Sequence, residues 1–176
     1  MTSDHVDKPI IGAFWMALSG ICFVGVYVGV KYVGTRLPAA ESAFLRYLLG
    51  LVFLIPVVRI LWREGLSREV MKLGAVRAFV HTFAVTLWFY AMARLPVAEV
   101  AAMGYLTPVY VTIGAVLLLG ERLALRRGVA IFLAVVGVLI VLRPGFREVS
   151  ISHLAMLGSS LFMGASYLTA KRLTNV

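Results

Sequence analysis

An all-α membrane protein, a polytopic bundle of six transmembrane helices, is the fold class this sequence predicts. Three observations predict it. Hydrophobic residues fill 61% of the 176 positions and charged residues 14%, with a mean hydropathy of +0.96. A soluble domain of this size holds about 45–50% apolar and about 25% charged residues, so here the surface must be apolar too. The apolar residues gather into six runs, Ile10 to Val30, Ala43 to Ile60, Leu73 to Met92, Val97 to Leu119, Leu123 to Leu142 and Leu154 to Ala170. Each is near the roughly 17–25 residues that cross the hydrocarbon as helix. Finally, the 17 Lys and Arg fall almost wholly between the runs. Cations there set membrane orientation, so the formal charge of +9 implies a lipid bilayer as partner and no nucleic acid.

Residues 1–9 form a polar tail carrying Asp4, Asp7 and Lys8. The first run is longer than the roughly 7–15 apolar residues of a cleaved signal peptide, so it is read as a retained helix. Within it Gly25-x-x-x-Gly29 permits close helix approach. The second run carries Arg46, and the third carries Arg77, His81 and Trp88 along one helical face. The fourth holds Pro108 mid-span, and the fifth and sixth lack an internal acid. Barrel strands are excluded, because they alternate polar and apolar residues over about ten positions. Short connections make neighbouring helices antiparallel.

The cations orient the bundle. With the N-terminus inside, the cytoplasmic set is Lys8, Arg59, Arg63, Arg68, Lys72, Arg122, Arg126, Arg127, Lys171 and Arg172. The outer set is Lys31, Arg36, Arg94, Arg143 and Arg147. Ten against five favours a cytoplasmic N-terminus in an inner membrane of bacterial type. One local repeat stands out. Arg36-Leu37-Pro38-Ala39-Ala40-Glu41-Ser42-Ala43 recurs as Arg94-Leu95-Pro96-Val97-Ala98-Glu99-Val100-Ala101. Proline suits a first helical position and glutamate the positive end of the dipole, so the repeat reads as helix-start chemistry. A fainter one matches Leu18, Phe23 and Gly25 of the first run with Leu157, Phe162 and Gly164 of the sixth. Copies offset by an odd number of helices enter the membrane inverted, the geometry of inverted-repeat transporters.

Arg46 in the second run, Leu106-Thr107-Pro108-Val109, Leu119-Gly120-Glu121-Arg122, Gly137-Val138-Leu139-Ile140 and Arg143-Pro144-Gly145 together resemble the EamA-type drug/metabolite transporters. The resemblance spans nearly the whole chain. It implies ten helices in two inverted five-helix repeats, cytoplasmic termini and a central solute cavity between the repeats. On that pattern residues 10–145 form one repeat, and residues 146–176 an outer loop and the first helix of an incomplete second. The expected function is secondary transport of small organic metabolites by alternating access. The alternative is a truncated fragment or subunit that needs a partner, either a second copy of the chain or the missing helices.

The candidate solute-binding residues are Arg46, His81, Tyr105, Thr107, Pro108, Tyr27 and Trp88. Arg46 either meets an anionic or zwitterionic solute or snorkels to the outer surface. His81 either faces a cavity or packs as a satisfied histidine, and Arg77 is read as a topology residue. Pro108 cannot donate to the Gly104 carbonyl, which makes Tyr105, Thr107 and Pro108 either a kinked, cavity-lining stretch or a benign kink compensated by a neighbouring hydroxyl. Tyr27 can present its hydroxyl inward. Glu121 beside Arg122 is read as structural. All eight acids lie at termini, loops or helix ends, and there is no Gly-x-x-x-x-Gly-Lys phosphate loop. His5, His81 and His153 show no metal-ligand spacing, and Cys22 is the sole cysteine. No catalytic set, metal or cofactor is implied.

The orientation has a direct test. In a Cys22→Ser background, a membrane-impermeant maleimide is expected to label Thr35→Cys in intact cells, and Ser67→Cys only after lysis.

Overall fold

The computed structural model describes residues 9–65, 67–120, 124–143 and 148–174. The motif residues Glu121, Arg122, Pro144 and Gly145, together with Arg147 and the tail before Pro9, lie outside these. The described residues form seven helices, α1 Pro9–Val33, α2 Ala39–Glu64, α3 Arg68–Arg94, α4 Val97–Gly104, α5 Leu106–Leu119, α6 Leu125–Leu142 and α7 Ile151–Leu173. No strand occurs among the described residues. Most helices outrun their apolar stretches because polar residues close their ends. The Ser67 hydroxyl accepts the Val70 N–H at 3.2 Å and starts α3. At α7, Ser150 and His153 cap each other's backbone reciprocally.

The fourth apolar run is the exception to one helix per run. It divides at Tyr105 into α4 and α5. Proline has no N–H, so Pro108 cannot supply the i+4 bond to the Gly104 carbonyl, and the helix parts there. The Tyr105 N–H turns instead to the Ala102 carbonyl at 3.2 Å, a tightened final turn. The two pieces still cross as one unit. Ile10–Val33, Arg68–Arg94, Val97–Leu118 and Leu125–Leu142 are the four stretches among the described residues long and apolar enough to span a membrane. The remaining helices, α2 and α7, are also long enough, roughly 39 Å and 34 Å at 1.5 Å per residue, and α7 carries polar residues, Ser159 and Ser160 among them, within its apolar run.

The place of α7 in the bundle accounts for them. This helix packs along α3 and α5 and touches α4, so its polar residues meet protein rather than lipid. Ser159 donates to the Ala84 carbonyl at 2.8 Å and Ser160 to the Met103 carbonyl at 3.0 Å. Both serines are buried. Gly164 lets the backbones approach closely, since a Cβ there would sit 3.0 Å from Tyr110 Cβ. Gly25 and Gly29 behave differently from the close approach expected of them. An added Cβ at either meets nothing within 4 Å, so this pair seats no helix within the chain.

Packing is tightest at the end where α1, α3 and α6 finish and α2, α4 and α7 begin. Ala91, Met92, Val100, Met103, Val138 and Met156 form the main cluster there, with Ala43, Val85 and Phe89 beside it. The Lys31 ammonium closes that end by donating to the Leu95 carbonyl at the C-terminus of α3. Away from it, α1 and α2 present apolar side chains outward. Phe53 is 82% exposed, which only a lipid surrounding makes stable. The chain is therefore a multi-pass membrane protein.

Gly164→Ala is expected to lower unfolding stability in detergent by about 1–3 kcal/mol through overpacking. Gly25→Ala, with open space around it, is expected to leave the melting temperature unchanged or slightly raised.

Candidate functional site

The broken fourth span opens a groove. Tyr27 of α1, Ala101 and Gly104 of α4, Tyr105 at the break, Thr107, Pro108, Val111 and Thr112 of α5, and Met163 and Tyr167 of α7 line it. Its volume is about 780 Å³, within the roughly 300–1,000 Å³ of small-molecule sites. Glycine has no side chain, so Gly104 contributes main-chain atoms to the wall. The Thr112 hydroxyl donates to the Pro108 carbonyl at 2.8 Å, satisfying one acceptor near the discontinuity. Tyr105 is 72% exposed and Tyr167 52%, while Tyr27 is half-buried.

Of the residues expected to meet solute, the structure brings Tyr27, Tyr105, Thr107 and Pro108 together on this groove. The other three stand elsewhere. Trp88 lies behind the wall and meets Tyr27 edge-on, with ring centroids 5.6 Å apart at 67°. Its indole also packs against Phe89 at 5.1 Å. Arg46 lines a different groove, of about 620 Å³, formed with Trp15, Ser19, Cys22, Phe23 and Phe89. Its residue is exposed. His81 is half-buried beside α7, its Nδ1 3.5 Å from Ser166 Oγ. It is absent from the groove wall, and Arg77 one turn away is exposed.

Two groove residues, Met163 and Tyr167, escaped sequence reasoning. They recur four apart on α7, a spacing that marks a shared face without saying what that face meets. A buried polar pair escaped it as well. Glu99, 7% exposed, lies 3.1 Å from His153 Nε2. The Ser150 N–H donates to His153 Nδ1 at 3.0 Å, so in the neutral ring Nε2 carries the hydrogen and gives it to Glu99. Glu99 was legible as helix-start chemistry in the Arg-Leu-Pro repeat. Its second task, tying α4 to the first turn of α7, joins residues 54 positions apart. No group of three or more His, Cys, Asp or Glu that could hold a metal occurs among the described residues.

Residues 10–143 match the EamA-like transporter family. The chain is 27% identical over 171 residues to a riboflavin transporter of Vibrio cholerae, covering 95% of this chain and 57% of the relative. It is 30% identical over 142 residues to an S-adenosylmethionine uptake transporter of Rickettsia bellii, covering 81% and 49%. A pseudopaline exporter of Pseudomonas aeruginosa shares 27% over 167 residues, covering 93% and 57%. The chain thus spans about half the length of the curated relatives it matches. No solved structure matches.

His153→Ala removes a hydrogen bond to a buried carboxylate and is expected to cost about 1.5–3 kcal/mol in thermal or denaturant unfolding. Adding Glu99→Gln to His153→Ala is expected to cost less than the sum of the two single changes, because they share one interaction.

Proposed function

Because the chain belongs to the EamA-like transporter family, we propose that it forms half of a secondary transporter that moves small organic metabolites across the inner membrane. The groove at the α4–α5 break is its share of the solute path. The discontinuous span carries this reading. Irregular backbone at membrane depth is tolerated where it is buried in protein or lines a cavity, and transporters build solute sites on such breaks. The relatives named for riboflavin, S-adenosylmethionine and pseudopaline support small metabolites as the class. In this reading residues 10–145 form one five-helix repeat with a cytoplasmic N-terminus. Residues 146–176 begin its inverted partner, and alternating access moves one repeat against the other.

A second reading is a subunit that acts only with a partner chain. The relatives' greater length and the open side of the groove favour it. A second copy and the helices of a longer chain are the two candidates to cover that side.

Proteoliposomes separate these readings. In a Cys22→Ser background carrying Thr107→Cys, a methanethiosulfonate reagent is expected to cut flux of any transported metabolite about tenfold, equivalent to about 1.4 kcal/mol on the barrier. Cys22→Ser alone is expected to be insensitive. Undiminished flux after complete modification would remove the groove from the path. Flux that appears only when a second copy or further helices are supplied favours the subunit reading.

A further inference from the structure

From the chemistry of the groove wall we infer that it grips an uncharged, planar heteroaromatic ring of the solute. The inference rests on the transport reading for its setting, and on the wall itself for its content. Three tyrosines from separate elements, Tyr27, Tyr105 and Tyr167, converge on one groove. A phenol ring offers a π face and a polar tip while freezing only two side-chain torsions, so a tyrosine cluster binds flat rings at low entropic cost. Tyr27 is held by the edge of Trp88, which fixes one ring of the set before any solute arrives. Met163 adds a polarisable thioether to the same wall, a favourable neighbour for aromatic rings.

The polar groups fit the same class. Among the described residues, no Lys, Arg, His, Asp or Glu lines the groove. This wall offers a charged centre no counter-charge, and a neutral ring needs none. The Gly104 carbonyl lacks the helical donor that Pro108 cannot provide, and Gly104 reaches the groove through its main chain. A ring N–H or exocyclic amine of the solute is the complementary donor. The Thr107 hydroxyl beside it can donate or accept. Arg46, which suggested an anionic or zwitterionic solute, lines another groove.

Binding to the protein in lipid nanodiscs tests the assignment, with riboflavin and adenosine as ring-bearing probes and sucrose, spermidine and citrate as ring-free ones. The two ring-bearing probes are expected to bind and the ring-free ones not to. Tyr105→Leu and Tyr167→Leu are each expected to weaken binding about tenfold, with Tyr105→Phe and Tyr167→Phe within about threefold of the parent. Both tyrosines are largely exposed, so these changes leave the core intact, and the Phe variants separate ring loss from misfolding. Equal binding of ring-free probes, no binding of either ring-bearing probe, or Leu variants that bind like the parent would each overturn the assignment. Flux in the Thr107→Cys proteoliposomes keeps the two ideas apart. If modification stops a ring-free solute while neither ring-bearing probe binds, the ring assignment falls and the transport reading stands. If the ring-bearing probes bind but modification changes no flux, the ring assignment stands and the transport reading falls.

Discussion

A proline nitrogen has no hydrogen to give, and at position 108 that missing donor falls inside an apolar run that must cross a membrane. In water the Gly104 carbonyl would find another partner at little cost. In hydrocarbon it has none, so the broken turn has to face protein or a wet cavity. The chain meets this by ending α4 at Gly104, restarting at Leu106, and turning the break toward α1 and α7. The break, and the groove beside it, follow from where that one residue stands. A residue with an N–H at position 108 would permit a continuous helix, and the wall would lose its irregular edge.

What holds the groove open is the packing around α7. Its serines bond to carbonyls of α3 and α4, its Gly164 lies close against α5, and its first turn is tied to Glu99. These contacts are short and polar, which suits a helix enclosed by others. Hydrophobic burial gives little drive between helices in lipid, so close approach and hydrogen bonds have to do that work. By contrast α1 reaches the bundle mainly through α3 and shows most of its length outward. The result is a bundle fastened at one end and around α7, with the groove on the seam between α5, α7 and the C-terminal half of α1.

Much of this was legible in the sequence because the membrane simplifies the code. Length and hydropathy mark each span, and Pro108 with Tyr105 and Thr107 marks the break, since both depend on local chemistry alone. Rotation of a helix about its axis is harder to read when nearly every face is apolar. That is why Arg46 and His81 could be placed in the membrane but not on a particular groove, and why Gly25-x-x-x-Gly29 suggested a contact that no helix of this chain makes. Pairings between distant segments left no trace at all. Glu99 explains itself as a helix start, and His153 as a cap, before either is seen beside the other. Tyr167 carries no local mark of its place, which depends on α7 lying against α5.

The central claim is that the break at Pro108 makes the solute path, and Pro108→Ala tests it most directly. Alanine offers the N–H that proline lacks, so a continuous helix through Gly104 and position 108 becomes possible. Solute flux should be compared with that of the parent protein in the same bilayer, alongside thermal stability. The account predicts a more stable protein whose flux falls about tenfold as the span closes, an effect of about 1.4 kcal/mol on the barrier. Flux equal to the parent's in a variant that has gained stability would contradict it.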